Sequence, residues 1–275
     1  MNLEGRTAVV TGAGSGIGAA IAAALADRRA RVVVADLDGD AAERTVAAIT
    51  AHHPGAAVAV AGDVADPAVI ATLIDTAERT FGPVALYVAN AGVMGAPGLG
   101  DDADWDRVLA VNLRAHIRAA QQLVPGWVER GEGYFVSTAS AAGLLTQIGA
   151  AGYAVSKHAA VGFAEWLAVT YGDRGVRVSC LCPMGVDTAM LDPSTTPGDP
   201  LGAVAIRAVT AAGSVLGADA VAREVLAAID QERFLILPHP EVAAMYAQKS
   251  SDYDRWLRGM RRYQAGLLGD ADVDV

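Results

Sequence analysis

The chain has 275 residues, of which 53% are hydrophobic and only 19% charged. That composition excludes a disordered chain and supplies apolar side chains for a sizeable core. A formal net charge of −10 argues against nucleic acid or an anionic membrane as a partner.

Short apolar runs alternate with longer helical stretches. Strands are predicted over Thr7–Gly12, Arg31–Asp36, Ala57–Asp63, Ala85–Gly92, Tyr134–Ser140, Arg177–Pro183 and Phe234–Pro238. They are rich in Val, Ile and Leu and lack polar alternation, the pattern of strands covered on both faces of a parallel sheet. Helices are predicted over Ile17–Arg28, Gly39–His52, Pro67–Thr80, Asp104–Glu129 and Gly152–Tyr171. Strand–helix alternation implies an α/β fold: a Rossmann-type doubly wound parallel sheet of about seven strands with flanking helices.

We expect one catalytic unit over 1–238, a helical extension over 239–268 and an acidic tail over 269–275. Pro193, Pro197, Gly198, Pro200, Gly202 and Gly213 interrupt the pattern between Asp187 and Val215, which reads as a substrate loop or lid. In the extension, Trp256, Leu257, Met260, Tyr263, Leu267 and Leu268 recur at roughly helical spacing. Core packing is the plain reading. Covering an active-site mouth or a neighbouring subunit is the alternative.

The first strand runs into T-G-A-G-S-G-I-G, with Gly12, Gly14, Gly16 and Gly18 opening a helix. Such a turn lets backbone approach a pyrophosphate held at the helix N-terminus. Asp36 ends the second strand. A carboxylate there accepts hydrogen bonds from adenosine ribose hydroxyls and repels a 2′-phosphate, and no Arg or Lys directly follows. These residues point to NAD rather than NADP.

In Y-A-V-S-K, Tyr153 and Lys157 are four residues apart on a predicted helix and share a face. An ammonium beside a phenol, whose ordinary pKa is about 10, favours the phenolate. The pair is either a proton-transfer device or two helix residues without a task. Cys180 and Cys182 alternate in a strand and read as buried small hydrophobes. No Cys/His cluster has metal-ligand spacing, so no metal is expected. No signal-like segment or bilayer-length apolar run is present, and a cytoplasmic location is expected.

Together these segments, over roughly residues 3–238, resemble the short-chain dehydrogenase/reductase family. TGAGSGIG resembles its cofactor turn, bringing in Ser15 and Ile17, with Leu37 following Asp36. G-D-V at Gly62–Val64 resembles the adenine contact, with Asp63 and Val64. Asn90, Ala91 and Gly92 match its N-A-G motif. The resemblance implies a catalytic tetrad of Asn112, Ser140, Tyr153 and Lys157. Tyr153 is then the general acid–base for a carbonyl receiving hydride, or for an alcohol losing it. Lys157 lowers its pKa and binds the nicotinamide ribose, Ser140 holds the substrate oxygen, and Asn112 holds a relay water. In C-P-M-G-V-D-T, Pro183, Gly185, Val186 and Thr188 match the family's nicotinamide loop, while Met184 replaces a glycine.

Family position puts Met94, Ala142, Leu144, Gln147, Ala150, Met184, Met190 and Leu191 at the substrate pocket. All but Gln147 are apolar, so a neutral, largely apolar secondary alcohol or ketone is expected. The family also implies a homotetramer or homodimer built through the helices holding Asn112 and Tyr153. The competing readings are an NADP-dependent ketoacyl-type reductase and a non-catalytic NAD-binding sensor or scaffold.

Overall fold

The computed structural model describes residues 1–191 and 200–269. Its strands are β1 (Thr7–Thr11), β2 (Arg31–Asp36), β3 (Ala57–Ala61), β4 (Val84–Ala89), β5 (Gly133–Thr138), β6 (Val176–Leu181) and β7 (Leu235–Ile236). They form one sheet of order β3-β2-β1-β4-β5-β6-β7, every pair parallel. This is the doubly wound sheet that the alternating pattern predicts.

The helices are α1 (Gly16–Asp27), α2 (Gly39–His52), α3 (Pro67–Phe81), α4 (Asp102–Leu109), α5 (Ala115–Arg130), α6 (Ala151–Tyr171), α7 (Pro200–Thr210), α8 (Ala218–Gln231), α9 (Glu241–Ser251) and α10 (Tyr253–Leu268). Strand alternation divides the core between the sheet's two faces. Val9, Val33 and Phe135 pack with α3, α5 and α6 through residues such as Leu73, Leu123 and Leu167. Their neighbours Val10, Val34 and Tyr134 pack against α1, α2 and α8 through residues such as Ile21, Ile49 and Val225. Both sets of side chains are buried, which is why the strands carry no polar alternation.

Local chemistry sets several helix starts. The carboxylates of Asp38, Asp66 and Asp101 accept backbone N–H bonds from Ala41, Ala68 and Asp104, satisfying donors that a helix start leaves free. Pro67 opens α3, where its missing N–H costs nothing.

Three departures from the sequence reading bear on function. The single helix expected over 104–129 is α4 and α5 joined by a π-helical turn, Ala110–Arg114, in which the Ala115 N–H bonds the Ala110 carbonyl. The interruption expected over 187–215 contains α7. Its Val204 and Ala208 pack on Ile148 and against Met260, Tyr263 and Leu267, so tertiary burial completes a helix that the flanking Pro and Gly obscured. Pro193, Pro197 and Gly198 lie outside the described residues, as does the tail beyond Gly269. The extension is two helices, α9 and α10, and Asp252 caps the second by accepting from the Arg255 N–H at 2.9 Å.

Most strands also end one to three residues earlier than predicted. The chemistry-bearing motifs therefore lie in loops beyond the strands' carboxyl ends. Strand order reverses between β1 and β4, the place where open α/β sheets bind ligands. No described helix is long and apolar enough to cross a membrane.

Candidate active site

A cavity of about 980 Å³ opens at that reversal. One part is lined by Gly12, Ser15, Gly16 and Ile17 of the glycine turn, Asp36 and Leu37 after β2, and Asp63 and Val64 after β3. Asn90, Ala91 and Gly92 follow β4 along its floor. Ser140, Tyr153 and Lys157 face the same space, together with Pro183, Met184, Val186 and Thr188 from the loop after β6. Met94, Ala142, Gln147, Ala150, Met190 and Leu191 complete the predicted substrate wall.

Five predicted residues do not line the cavity. Gly14 instead donates its N–H to Asp36 Oδ2 at 2.8 Å. Gly18 is a packing residue: a side chain there would overlap the Gly12 carbonyl and the Asn90 amide. Leu144 points into the core, and its carbonyl accepts from Lys249 Nζ at 2.7 Å. Gly185 is held through its carbonyl by the Leu216 N–H and by His239 Nε2. Asn112 is fully buried within the π turn. Its Oδ1 accepts from the Val93 N–H at 2.9 Å, and its Nδ2 donates to the Val93 carbonyl and to Ser156 Oγ. Both amide hydrogens are thus engaged by protein, so the side chain clamps the chain beyond Gly92 rather than presenting Nδ2 to a relay water.

The first part of the cavity suits a dinucleotide. Gly12 has φ 62°, and a side chain on it would meet Ala91 Cα at 2.8 Å. The backbone there lies flush against the N-A-G segment, which no larger residue permits. No side chain caps the start of α1, leaving its positive end to a ligand phosphate. Asp36 is fixed by the Gly14 N–H on Oδ2 and the Asp38 N–H on Oδ1.

Residues 6–197 match the family model for short chain dehydrogenases. A 1-deoxy-11-beta-hydroxypentalenate dehydrogenase of Streptomyces exfoliatus is 42% identical over 231 residues, covering 80% of this chain and 82% of that protein. A cyclohexanol dehydrogenase of Acinetobacter sp. is 34% identical over 189 residues, covering 68% and 75%. The crystal structure of a short chain dehydrogenase/reductase from Burkholderia phymatum, in complex with NAD, superposes with a TM-score of 0.83. It is 34% identical and covers 92% of this chain and 96% of that one. The chain belongs to the short-chain dehydrogenase family. It is a nicotinamide-dependent oxidoreductase of the alcohol–ketone class.

Burial dominates the electrostatics of this dehydrogenase site. It pushes the Tyr153 phenol above its ordinary pKa, with the Ser140 hydroxyl pulling partly back. The sequence reading expected Lys157 to bring that value down. In this arrangement Lys157 Nζ donates to the Thr138 carbonyl at 2.9 Å and lies 5.6 Å from the Tyr153 ring centroid, and burial is the largest influence on the phenol. Burial also pulls the Lys157 ammonium down to about 8. His116, one turn beyond Asn112, is held neutral by burial and by the Lys157 charge, with a pKa near about 3.

Several contributors escaped the sequence reading. Thr11 Oγ1 accepts the Asn90 and Ala91 N–H groups at 3.0 and 3.1 Å, fixing the N-A-G segment. Arg107 Nη1 pairs with Asp63 Oδ2 at 2.6 Å, engaging one oxygen of the carboxylate that the sequence reading gave to adenine. His239 is fully buried. Its Nδ1 accepts from the Met184 N–H at 3.1 Å while its Nε2 donates to the Gly185 carbonyl at 3.0 Å. This bridge steadies the loop where Met184 replaces the family glycine, and Met184 is not among the positive-φ residues. The substitution therefore needs no strained backbone. The two cysteines are free and buried, their sulfurs 3.8 Å apart.

Met245, Trp256, Met260 and Tyr263 of α9 and α10 also line the cavity. The extension thus contributes part of the wall of its own chain's cavity. Its helical spacing in the sequence was legible, but its destination was not.

Proposed function

We propose that this dehydrogenase uses NAD and interconverts a neutral, largely apolar secondary alcohol and its ketone, with Tyr153 as general acid–base. The carrying observation is that Ser140, Tyr153 and Lys157 share one cavity with the glycine turn and Asp36. Gly12 to Ile17 would hold the pyrophosphate, Asp36 and Leu37 the adenosine ribose, and Val64 the adenine. Asn90 to Gly92, Pro183, Val186 and Thr188 would flank the nicotinamide half. Bound there, the nicotinamide supplies the hydride acceptor, or the donor in the reverse direction.

The chain's own residues handle the proton. Burial keeps Tyr153 protonated at neutral pH, so its Oη can give a proton to a carbonyl oxygen and recover one from a hydroxyl. Ser140 Oγ, fixed by accepting the Ala142 N–H at 3.1 Å, donates to the same substrate oxygen and stabilises charge developing there. A lysine with a pKa of about 8 is charged at neutral pH yet close enough to it to pass a proton onward. Asn112 positions the segment bearing Val93.

Asp36 supports NAD, because a 2′-phosphate would meet its fixed carboxylate, and the Burkholderia phymatum protein's NAD complex agrees. Five of the chain's six methionines line the cavity. Flexible thioethers adapt to bulky apolar shapes, and the relatives named for cyclohexanol and hydroxypentalenate fit a cyclic alcohol. Initial-rate NADH formation over secondary alcohols, from small aliphatic to bulky cyclic, tests the reading. We expect turnover that falls about 10²- to 10⁴-fold in Tyr153→Phe while NADH binding persists. Turnover surviving that substitution overturns the role of Tyr153. No turnover across the panel, with NADH binding intact, shifts the assignment to a non-catalytic sensor.

Val155, Trp166 and Val169 are exposed on one side of α6, and we read that side as a homodimer or homotetramer contact. A monomer mass by light scattering at micromolar concentration refutes it.

A further inference from the structure

We propose that Gln147 is a specificity-determining residue, and that its side-chain oxygen accepts a hydrogen bond from a second, non-reacting hydroxyl of the substrate. The proposal deepens the reading above and rests on it, since it takes the reacting oxygen to sit at Tyr153 and Ser140. Gln147 follows Ser140 in the loop between β5 and α6 and lines the cavity. Its Nε2 donates to the carbonyls of Ile148 and Ala205 at 3.1 and 3.3 Å. Both amide hydrogens are spent. The group cannot turn over, because Oε1 would then face two carbonyl oxygens that have nothing to donate. Oε1 itself accepts from no described residue and is not sealed in by protein.

The backbone around it is pinned. The Gly98 N–H donates to the Gly149 carbonyl at 2.9 Å, and the Ala151 N–H donates to the Gly98 carbonyl at 3.0 Å. Thr146, immediately before Gln147, has φ 133°. A β-branched residue rarely adopts that conformation, and such strain persists where the surroundings impose it, often at ligand sites. The outcome is an acceptor at a fixed place in the substrate wall. The Thr146 hydroxyl can rotate to give or take a hydrogen bond and so selects little, whereas Oε1 can only take. A substrate that displaces water from Oε1 must bring a donor or leave the acceptor bare, which is costly. The residues lining this part of the cavity, Ala142, Ala150, Ala205 and Ile206 among them, are uncharged. An ammonium would be uncompensated there, and a carboxylate would meet the lone pairs of Oε1. The donor is a neutral hydroxyl. The substrate class is an apolar ketone that carries a hydroxyl elsewhere on its frame, or the matching diol. A site that holds a substrate hydroxyl discriminates against analogues lacking it.

The test reads NADH-dependent reduction, in which only a ketone can react. The set is decalone, the decalones bearing a hydroxyl on the second ring, and the methyl ethers of those hydroxyls, which keep the oxygen and remove the donor. Wild type should favour at least one hydroxydecalone over both its methyl ether and decalone by about 10-fold in kcat/KM, the usual worth of satisfying a desolvated acceptor. In Gln147→Met, which keeps the length and removes the acceptor, that ratio should collapse towards one. Gln147→Ala gives the same reading if Gln147→Met fails to fold. If no ketone is reduced, calorimetric binding of the set to the NADH-loaded protein gives the ratio without turnover. A binding ratio present in wild type and lost in Gln147→Met then means that the reaction reading fails and the Gln147 assignment stands. Equal handling of every hydroxydecalone and its comparators by wild type, a preference that persists in Gln147→Met, or no binding of any member overturns the assignment.

Discussion

Replacing Lys157 by methionine should stabilise this protein near neutral pH while removing its activity. Lys157 is 2% exposed, and its pKa drops from 10.5 to about 8 on folding. That difference, at about 1.4 kcal/mol per tenfold, means the charged form costs about 3–4 kcal/mol in the folded state. The sign follows from proton counts. Between about pH 8 and 10.5 the unfolded chain binds more protons than the native one, so wild-type stability rises with pH there. Below pH 8 the full cost is present. Methionine fills similar volume without charge, but leaves the Thr138 carbonyl without its donor, a loss of about 1–2 kcal/mol. The variant should therefore be more stable by about 1–2 kcal/mol at pH 7 and less stable by a similar amount above pH 10.5. Urea denaturation of both proteins across pH 7–11 reads the crossing directly, and other titrating groups cancel in the difference. A stability gap that stays constant across this range, or a variant less stable throughout, refutes the reasoning.

Asp36→Ala removes the carboxylate that accepts from Gly14 and Asp38. It should lower kcat/KM with NAD about 10- to 100-fold, as expected for losing charge-assisted hydrogen bonds. It should also raise the NADP-to-NAD ratio, and paired initial rates with the two cofactors showing an unchanged ratio would count against the assignment. His239→Ala strands two buried main-chain groups, the Met184 N–H and the Gly185 carbonyl. At about 1–3 kcal/mol each, it should lower the melting temperature and raise the KM for NAD together. A variant that melts at the wild-type temperature removes the bridge from the explanation.

The sheet was legible because each strand carries apolar side chains at consecutive positions, and only a strand covered on both faces does that. Within the site, Tyr153, Lys157, Ser140 and Asp36 were legible because their side-chain chemistry is scarce and their order along the chain is informative. What the sequence concealed depends on approach in space. His239 meets Gly185 across 54 residues and Lys249 meets Leu144 across 105. Neither pair has a periodic or spacing signal. Trp256, Met260 and Tyr263 have the spacing of a packed helix face, and that face is packed, but partly against a cavity. Spacing identifies an apolar stripe and not whether protein or ligand covers it. The π turn escaped for a similar reason. V-N-L-R reads as ordinary helix, and only the fit of Asn112 to the Val93 backbone shows why the extra residue is accommodated there.

These hidden contacts share one form. Asn112 binds the backbone of Val93, His239 the loop at Met184 and Gly185, and Lys249 the carbonyl of Leu144. Each is a buried polar side chain anchored to the main chain of an active-site loop. Such bonds hold the loops where strand pairing has ended, and each buried group is costly if its partner is lost. They also leave the loops' side chains free to face the cavity. The rigid half, around the glycine turn and N-A-G, is then suited to a cofactor of fixed shape. The wall from α7, α9 and α10 is largely apolar and carries Met245 and Met260. Flexible thioethers there can adapt to the shape of a hydrocarbon frame. On this division, substitutions at the anchors should disturb cofactor binding and stability together, whereas substitutions on the methionine wall should change which alcohols react and leave the protein's stability nearly as it was.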